Sequence, residues 1–254
     1  MTTLFVILAL LGAAGRSGPA EDPAAVLLRR MVEMDSFALN GAEQSSHAIV
    51  RRGGSVTGRL QFSISSRKSG PGLAEVLIRF SKPVDIAGGG ILLLQHRAGD
   101  DERFLFLPEL KKTRRIPGSE RDQTFMGMDF TFADLDRRDL REGHATLLAA
   151  GPVGDVDCNH IDIDIRNGPY SHTEVWISKE TSLPLKWRFY DHAGKLLKTL
   201  DAEETRRVNE HWYITRSRMV NVQTGHSTEM ILDRVVPTDD APADHFSVRE
   251  LERL

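Results

Sequence analysis

The densest run of residues able to bind a metal is Asn159, His160, Asp162 and Asp164. Hard cations are held by several oxygens, and zinc by clustered histidine, cysteine or carboxylate. On a strand, positions two apart share a face, so His160, Asp162 and Asp164 fall on one side and a surface metal site is geometrically possible. The solvated face of a strand is the simpler reading. None of the nine histidines sits in an HExxH pattern. Gly88-Gly89-Gly90 lacks the Gly-Lys-Ser/Thr ending of a phosphate loop and precedes a strand, so it reads as a turn or bulge. No Gly-x-Ser-x-Gly elbow is present. Cys158 is the only cysteine, which rules out an intrachain disulfide and a multi-cysteine metal site, and no catalytic partner for it is recognisable. The expectation is a non-enzyme with no catalytic residue, no metal and no cofactor.

A different chemistry is written between Phe104 and Leu135. Phe104-Leu105-Phe106-Leu107 reads as an apolar strand broken by Pro108. A basic run, Lys111, Lys112, Arg114 and Arg115, follows. These charges suit anionic headgroups or an acidic partner, and equally an edge strand kept soluble by charge. Beyond the Ile116-Pro117-Gly118 turn lies a greasy stretch with Phe125, Met126, Met128, Phe130 and Phe132. Connections are normally polar and solvated. These residues must therefore pack on something, either the core alone or also a ligand. Asp129 among them reads as a cap for a short helix after Gly127, or as the partner of an arginine.

The rest of the chain must position that stretch. Its composition is that of a globular protein, 40% hydrophobic and 27% charged, and a net charge of -3 argues against a general nucleic-acid binder. Residues 1–20 read as a secretory signal peptide, with an apolar core from Leu4 to Leu11 followed by small residues. That core is shorter than the roughly 20 residues a membrane span needs. A location outside the cytoplasm is expected, with residues 21–254 as a single domain.

Asp22-Pro23 starts a helix running to about Asp35, with Leu27, Met31 and Met34 on one face beside Val26 and Leu28. The pattern then switches to period two. Leu60, Phe62 and Ile64 alternate with polar residues, as do Val76, Ile78 and Phe80, then Ile161, Ile163 and Ile165, then Leu185, Trp187 and Phe189. Other candidate strands lie at 91–96, 174–178, 195–201, 212–222 and 227–235. Turn signals such as Arg52-Gly53-Gly54, Asp191-His192-Ala193-Gly194 and Gln223-Thr224-Gly225 separate them. About ten short strands joined by hairpin-type turns make an antiparallel sheet. A sheet that large must curl. The fold class is α+β, mostly β: a large curved antiparallel sheet. Helices near 24–35 and 129–137 cover its concave apolar face.

One family carries this combination. The chain resembles the outer membrane lipoprotein-sorting proteins of LolA/LolB-like fold. The resemblance lies in Leu107-Pro108, Leu110, Lys112, Arg114-Arg115-Ile116, Phe125-Met126-Gly127, Asp129-Phe130 and Asp134-Leu135. A second stretch runs from Val175-Trp176-Ile177 through Leu183-Pro184-Leu185-Lys186 to Tyr190-Asp191 and Gly194-Lys195-Leu196. The resemblance implies an incomplete β-barrel closed by helices around an apolar cavity, in a periplasmic carrier that shelters the acyl chains of a lipid or acylated lipoprotein and delivers them toward the outer membrane or an exporter. An inner-membrane exporter or outer-membrane acceptor is the implied partner, the protein acting as a monomer. The alternative is a non-catalytic envelope sensor or interaction module that binds a membrane-protein partner. Cavity wall and lid are expected from Leu27, Met31, Phe62, Ile78, Phe80, Phe104, Phe106, Phe125, Met126, Met128, Phe130, Phe132, Trp187 and Phe189. Headgroup or partner contact falls to Lys111, Lys112, Arg114 and Arg115.

Overall fold

A computed structural model describes residues 21–39, 41–70, 73–135, 140, 142–165, 168–238 and 241–253. Residues 1–20, read as the signal peptide, and residues 136–137, read as the end of the second helix, lie outside the described set. Among the described residues no helix is long and apolar enough to cross a membrane.

Helix α1 (Pro23–Met34) begins where the sequence directs it. The Asp22 carboxylate accepts from the Ala24 amide at 3.0 Å, Pro23 fills the first turn, and Asp35 ends the helix in the left-handed region at φ 52°. Its buried stripe is Ala24, Leu28 and Met31, with Leu27 packed at the flank. The inward face is thus rotated from the expected one, centred on Ala24, Leu28 and Met31.

Thirteen strands follow: β1 (Ala42–Arg52), β2 (Ser55–Gly70), β3 (Leu73–Lys82), β4 (Gly90–Leu94), β5 (Glu102–Leu107) and β6 (Lys112–Arg115), then β7 (His144–Val153), β8 (Val156–Asp164), β9 (His172–Ser178), β10 (Pro184–Tyr190), β11 (Leu196–Val208), β12 (His211–Asn221) and β13 (His226–Pro237). They form one antiparallel sheet in the order β6-β5-β4-β3-β2-β1-β13-β12-β11-β10-β9-β8-β7. The chain meanders outward from β1 to β6. It crosses to the opposite edge, and meanders back until β13 pairs with β1, Ala48 facing Met230. Strands β6 and β7 remain at the two ends, so the sheet curls without closing into a barrel.

The segment after β6, residues 116–135, packs over the concave face. It carries helix α2 (Phe132–Leu135), which starts three residues after the expected 129. One core cluster joins Phe62, Ile64, Ile78 and Phe80 to Phe125, Met128 and Phe132 of this strap. A second joins Ile161, Ile163, Val175, Trp187 and Phe189 to Ala24, Leu28 and Met31 of α1. Phe130 packs against both clusters.

The convex face also has a lid over part of its area. Leu77, Leu92 and Phe106 are buried against Phe246 and Leu251, the latter in helix α3 (Val248–Leu251). Strand β4 is therefore buried on both sides and shows no alternation. At Gly90 a Cβ would lie 2.4 Å from the Ile78 carbonyl oxygen, so only glycine lets β4 approach β3 there.

Candidate functional site

Between the strap, α1 and the concave face lies a cavity of about 190 Å³, partly open to solvent. Native cores rarely leave voids much larger than a water molecule, so this is a built space and not a packing fault. Its wall is overwhelmingly apolar, and it includes four methionines, Met31, Met128, Met219 and Met230. Unbranched, polarizable side chains of this kind adjust to an irregular guest.

Of the residues expected to form wall and lid, Met31, Phe62, Ile78, Phe80, Phe125, Met128, Phe130, Trp187 and Phe189 line this cavity. Leu27 packs beside it on the α1 cluster, while Met126 and Phe132 pack into the strap cluster. Phe104 and Phe106 are placed elsewhere. Their register on β4, with Phe104 opposite Leu92, turns both to the convex face under Phe246 and Leu251. Leu105, opposite Ile91, points inward instead. A Phe-Leu-Phe-Leu run buried on both sides carries no parity signal from which to choose.

The strap is shaped by its own turn. Met126 at φ 50° and Gly127 at φ 70° are both left-handed, and the Met128 amide donates to the Phe125 carbonyl at 3.0 Å. Two successive positive φ values are the requirement of a type I′ turn, which favours glycine. The turn folds the strap back so that Thr124 bridges to Thr131 and the Phe125 and Phe132 rings lie 5.2 Å apart.

A buried polar knot fastens this strap to the sheet. Lys198 of β11 faces inward, and its Nζ donates to the Asp129 carbonyl at 2.7 Å and to Tyr170 Oη at 3.2 Å. It stands 3.5 Å from Asp134 Oδ2. Tyr170 Oη donates to Asp134 Oδ1 at 2.6 Å. Thr228 Oγ1 of β13 accepts from the Asp129 amide and donates to Asp129 Oδ2, both at 2.8 Å. Asp129 therefore neither caps α2 nor meets an arginine in this network. The cap is the reciprocal pair Thr131 and Asp134, in which each side chain accepts from the other's amide. The Lys198 and Asp134 side chains are 5% and 7% exposed, so their pairing has to offset a large desolvation cost. Lys198 and Tyr170 were missed in the sequence. The signal for Lys198 was a lysine in an inward position of a strand, two residues before Leu200.

Comparison with known proteins follows from this geometry. A family model described as that of an uncharacterized protein matches residues 72–253. Among solved structures, a DUF1329 family protein from Desulfovibrio piger aligns with TM-score 0.83 at 24% identity, over 90% of this chain and 97% of that one. A domain described as that of an outer membrane lipoprotein-sorting protein, from Vibrio parahaemolyticus, gives TM-score 0.84 at 24% identity, over 91% and 98%. A LolA superfamily protein from Nitrosomonas europaea gives 0.72 at 18%, over 89% and 98%. The chain belongs to the family of that model and shares the LolA-like fold of these structures. A search of curated proteins finds no match to it.

Two other sequence signals take their place on the outside of this LolA-like sheet. The basic run forms the turn and edge strand β6. Lys111 and Lys112 are exposed, Arg114 Nη1 donates to Glu120 at 2.7 Å, and Arg115 lies 3.3 Å from Glu102. Of the Asn159–Asp164 string, His160, Asp162 and Asp164 face outward on β8, while Ile161 and Ile163 are buried in the core. His160 stacks on Trp176 at 3.9 Å and lies 3.4 Å from Glu174, while His172 lies 3.9 Å from Asp162. Burial pushes the Asp162 carboxyl above its ordinary range. Among the described residues no group of His, Cys, Asp and Glu is arranged to hold a metal ion.

Proposed function

We propose that the protein is an envelope carrier that shelters the acyl chains of a lipid or lipoprotein in the cavity beneath the strap. The observation behind it is the apolar hollow of about 190 Å³, walled by both core clusters and roofed by the strap. Each methylene taken from water into such a space gains about 0.8 kcal/mol, so an apolar berth of fitting shape holds a chain without any chemical step. The proposal includes no catalysis. Phe130, half-buried and in contact with both clusters, acts as the moving edge of the lid.

Likeness in fold to a lipoprotein-sorting domain and a LolA superfamily protein supports a route through the periplasm, entered by the signal peptide read at residues 1–20, with delivery toward the outer membrane or an exporter. Lys111 and Lys112 supply free positive charge for an anionic headgroup or acidic acceptor, since Arg114 and Arg115 are already paired. Titration of the purified protein with an environment-sensitive fluorescent fatty-acyl probe tests the carrier role. Saturable uptake with a blue-shifted emission is expected. Emission unchanged from that in buffer would refute it.

A further inference from the structure

Two polar atoms in this apolar wall have nothing to bond. Trp187 Nε1 and Thr173 Oγ1 are shut off from solvent and find no hydrogen-bond partner among the described residues. Both residues line the cavity, and they are only 7% and 0% exposed. They are neighbours on the inner face: Thr173 of β9 stands opposite Phe189 of β10, and Trp187 is the next inward residue of β10, its ring stacked 5.9 Å from that of Phe189. Buried polar groups are nearly always satisfied, and an unmet one costs stability that a phenylalanine or valine of similar shape would not. Two such groups side by side on a ligand-sized cavity mark the place where a ligand supplies the missing atom.

We propose that Trp187 and Thr173 recognise a carbonyl oxygen, so that the cavity selects a neutral acyl ester or amide. An indole N–H only donates, so its partner must be an acceptor, and a hydroxyl can donate to the same oxygen. The flanking charge decides which acceptor. Lys198 lies opposite Phe189 on the other side, and the buried knot around it holds one ammonium and two carboxylates, Asp134 beside Lys198 and Asp129 beside Thr228. A free fatty-acid carboxylate would bring another negative charge into that poorly solvated neighbourhood. An ester or amide carbonyl brings none. Met219 and Met230 in the same wall yield to an incoming chain and let it reach the two donors. The inference rests on the carrier function and narrows its cargo from hydrocarbon in general to acyl chains that keep an uncharged carbonyl.

The test compares three ligands of equal chain length on the delipidated full-length protein: a diacylglycerol, its dialkyl ether analogue and the free fatty acid. Calorimetric titration should show the ester bound about tenfold more tightly than the ether, the worth of one buried hydrogen bond, with the free acid also weaker than the ester. Trp187→Phe combined with Thr173→Val should abolish the preference for ester while leaving the ether affinity unchanged. Thr173→Val alone should raise the Tm of the empty protein, because it removes an unpaired hydroxyl, and it should halve or better the ester preference even if the indole variant does not fold. Equal binding of ester and ether by the natural protein, a preference surviving in the double variant, or tightest binding of the free acid would overturn the inference and leave the carrier function standing. Failure to bind any of the three would remove both.

Discussion

Phe130 and Phe80 both line the cavity, yet they hold different positions in it. Phe80 is 2% exposed and pinned within the sheet, its ring 5.7 Å from that of Phe62, whereas Phe130 is half-buried on the strap between two clusters. Phe130→Asp should therefore abolish uptake of an acyl probe while lowering Tm less than Phe80→Asp, for which a loss of about 3–5 kcal/mol or more is expected from the lost core ring and the buried charge. Equal losses of Tm would show that Phe130 is core and not lid. Lys198 belongs to the same scale. Removing its ammonium leaves Asp134 without its cation and the Asp129 carbonyl without its donor, so Lys198→Met should cost about 3–5 kcal/mol in urea unfolding. Adding Asp134→Asn should restore part of that loss, and a strictly additive double variant would show that the two are not coupled.

Among the elements, the strap is the one whose conformation is written most locally. Gly127 at φ 70° has no atom within 4 Å of a built Cβ, so Gly127→Ala tests backbone strain alone. A cost of about 1–2 kcal/mol is expected, read as faster amide exchange at Met128 and Phe132, with the sheet amides unchanged. Uniformly faster exchange would mean that the strap does not open separately. The strands show where the sequence was legible and where it was not. Strands β2, β3, β8 and β10 bury large apolar residues on one side, so alternation exposes them. Strand β1 turns Ala42, Gln44, Ser46 and Ala48 inward, and small or polar residues leave no apolar period to read. Strand β7, at the edge, leaves Leu147 half exposed, and β6 was legible only as one of two meanings of a basic run. In the site, the phenylalanines of the strap and of β2, β3 and β10 were legible because they stand out from their surroundings. Phe104 and Phe106 misled because β5 is covered on both faces. Lys198, Tyr170 and Thr173 were hidden because each acquires meaning only from residues far away in the chain.

At the scale of the whole molecule, the two meanders meet only where β1 pairs with β13, and this seam is clasped on the outside by charge. Glu229 of β13 lies 2.8 Å from Arg51 of β1, with Arg216 and Arg218 of β12 at 3.6 and 3.9 Å. Burial alone would raise the Glu229 carboxyl, but the Arg51 hydrogen bond and the three guanidinium charges outweigh it and hold the pKa below its ordinary 4.5. A carboxyl lowered by folding contributes stability above about pH 4.5, and that contribution is lost as pH falls through the lower folded value. Glu229→Gln should therefore lower Tm at pH 7 and flatten the decline of Tm below pH 4.5. Parallel pH profiles would show that the seam does not depend on this charge. With the seam intact the sheet stays bent, and a bent sheet under a strap is what leaves room for a guest. The most direct measure of that guest is native mass spectrometry of the protein purified gently from its own envelope. The carrier account predicts added mass that extracts into organic solvent and fragments as an acylated molecule. Only the bare protein mass, unchanged after incubation with envelope lipid, would contradict it.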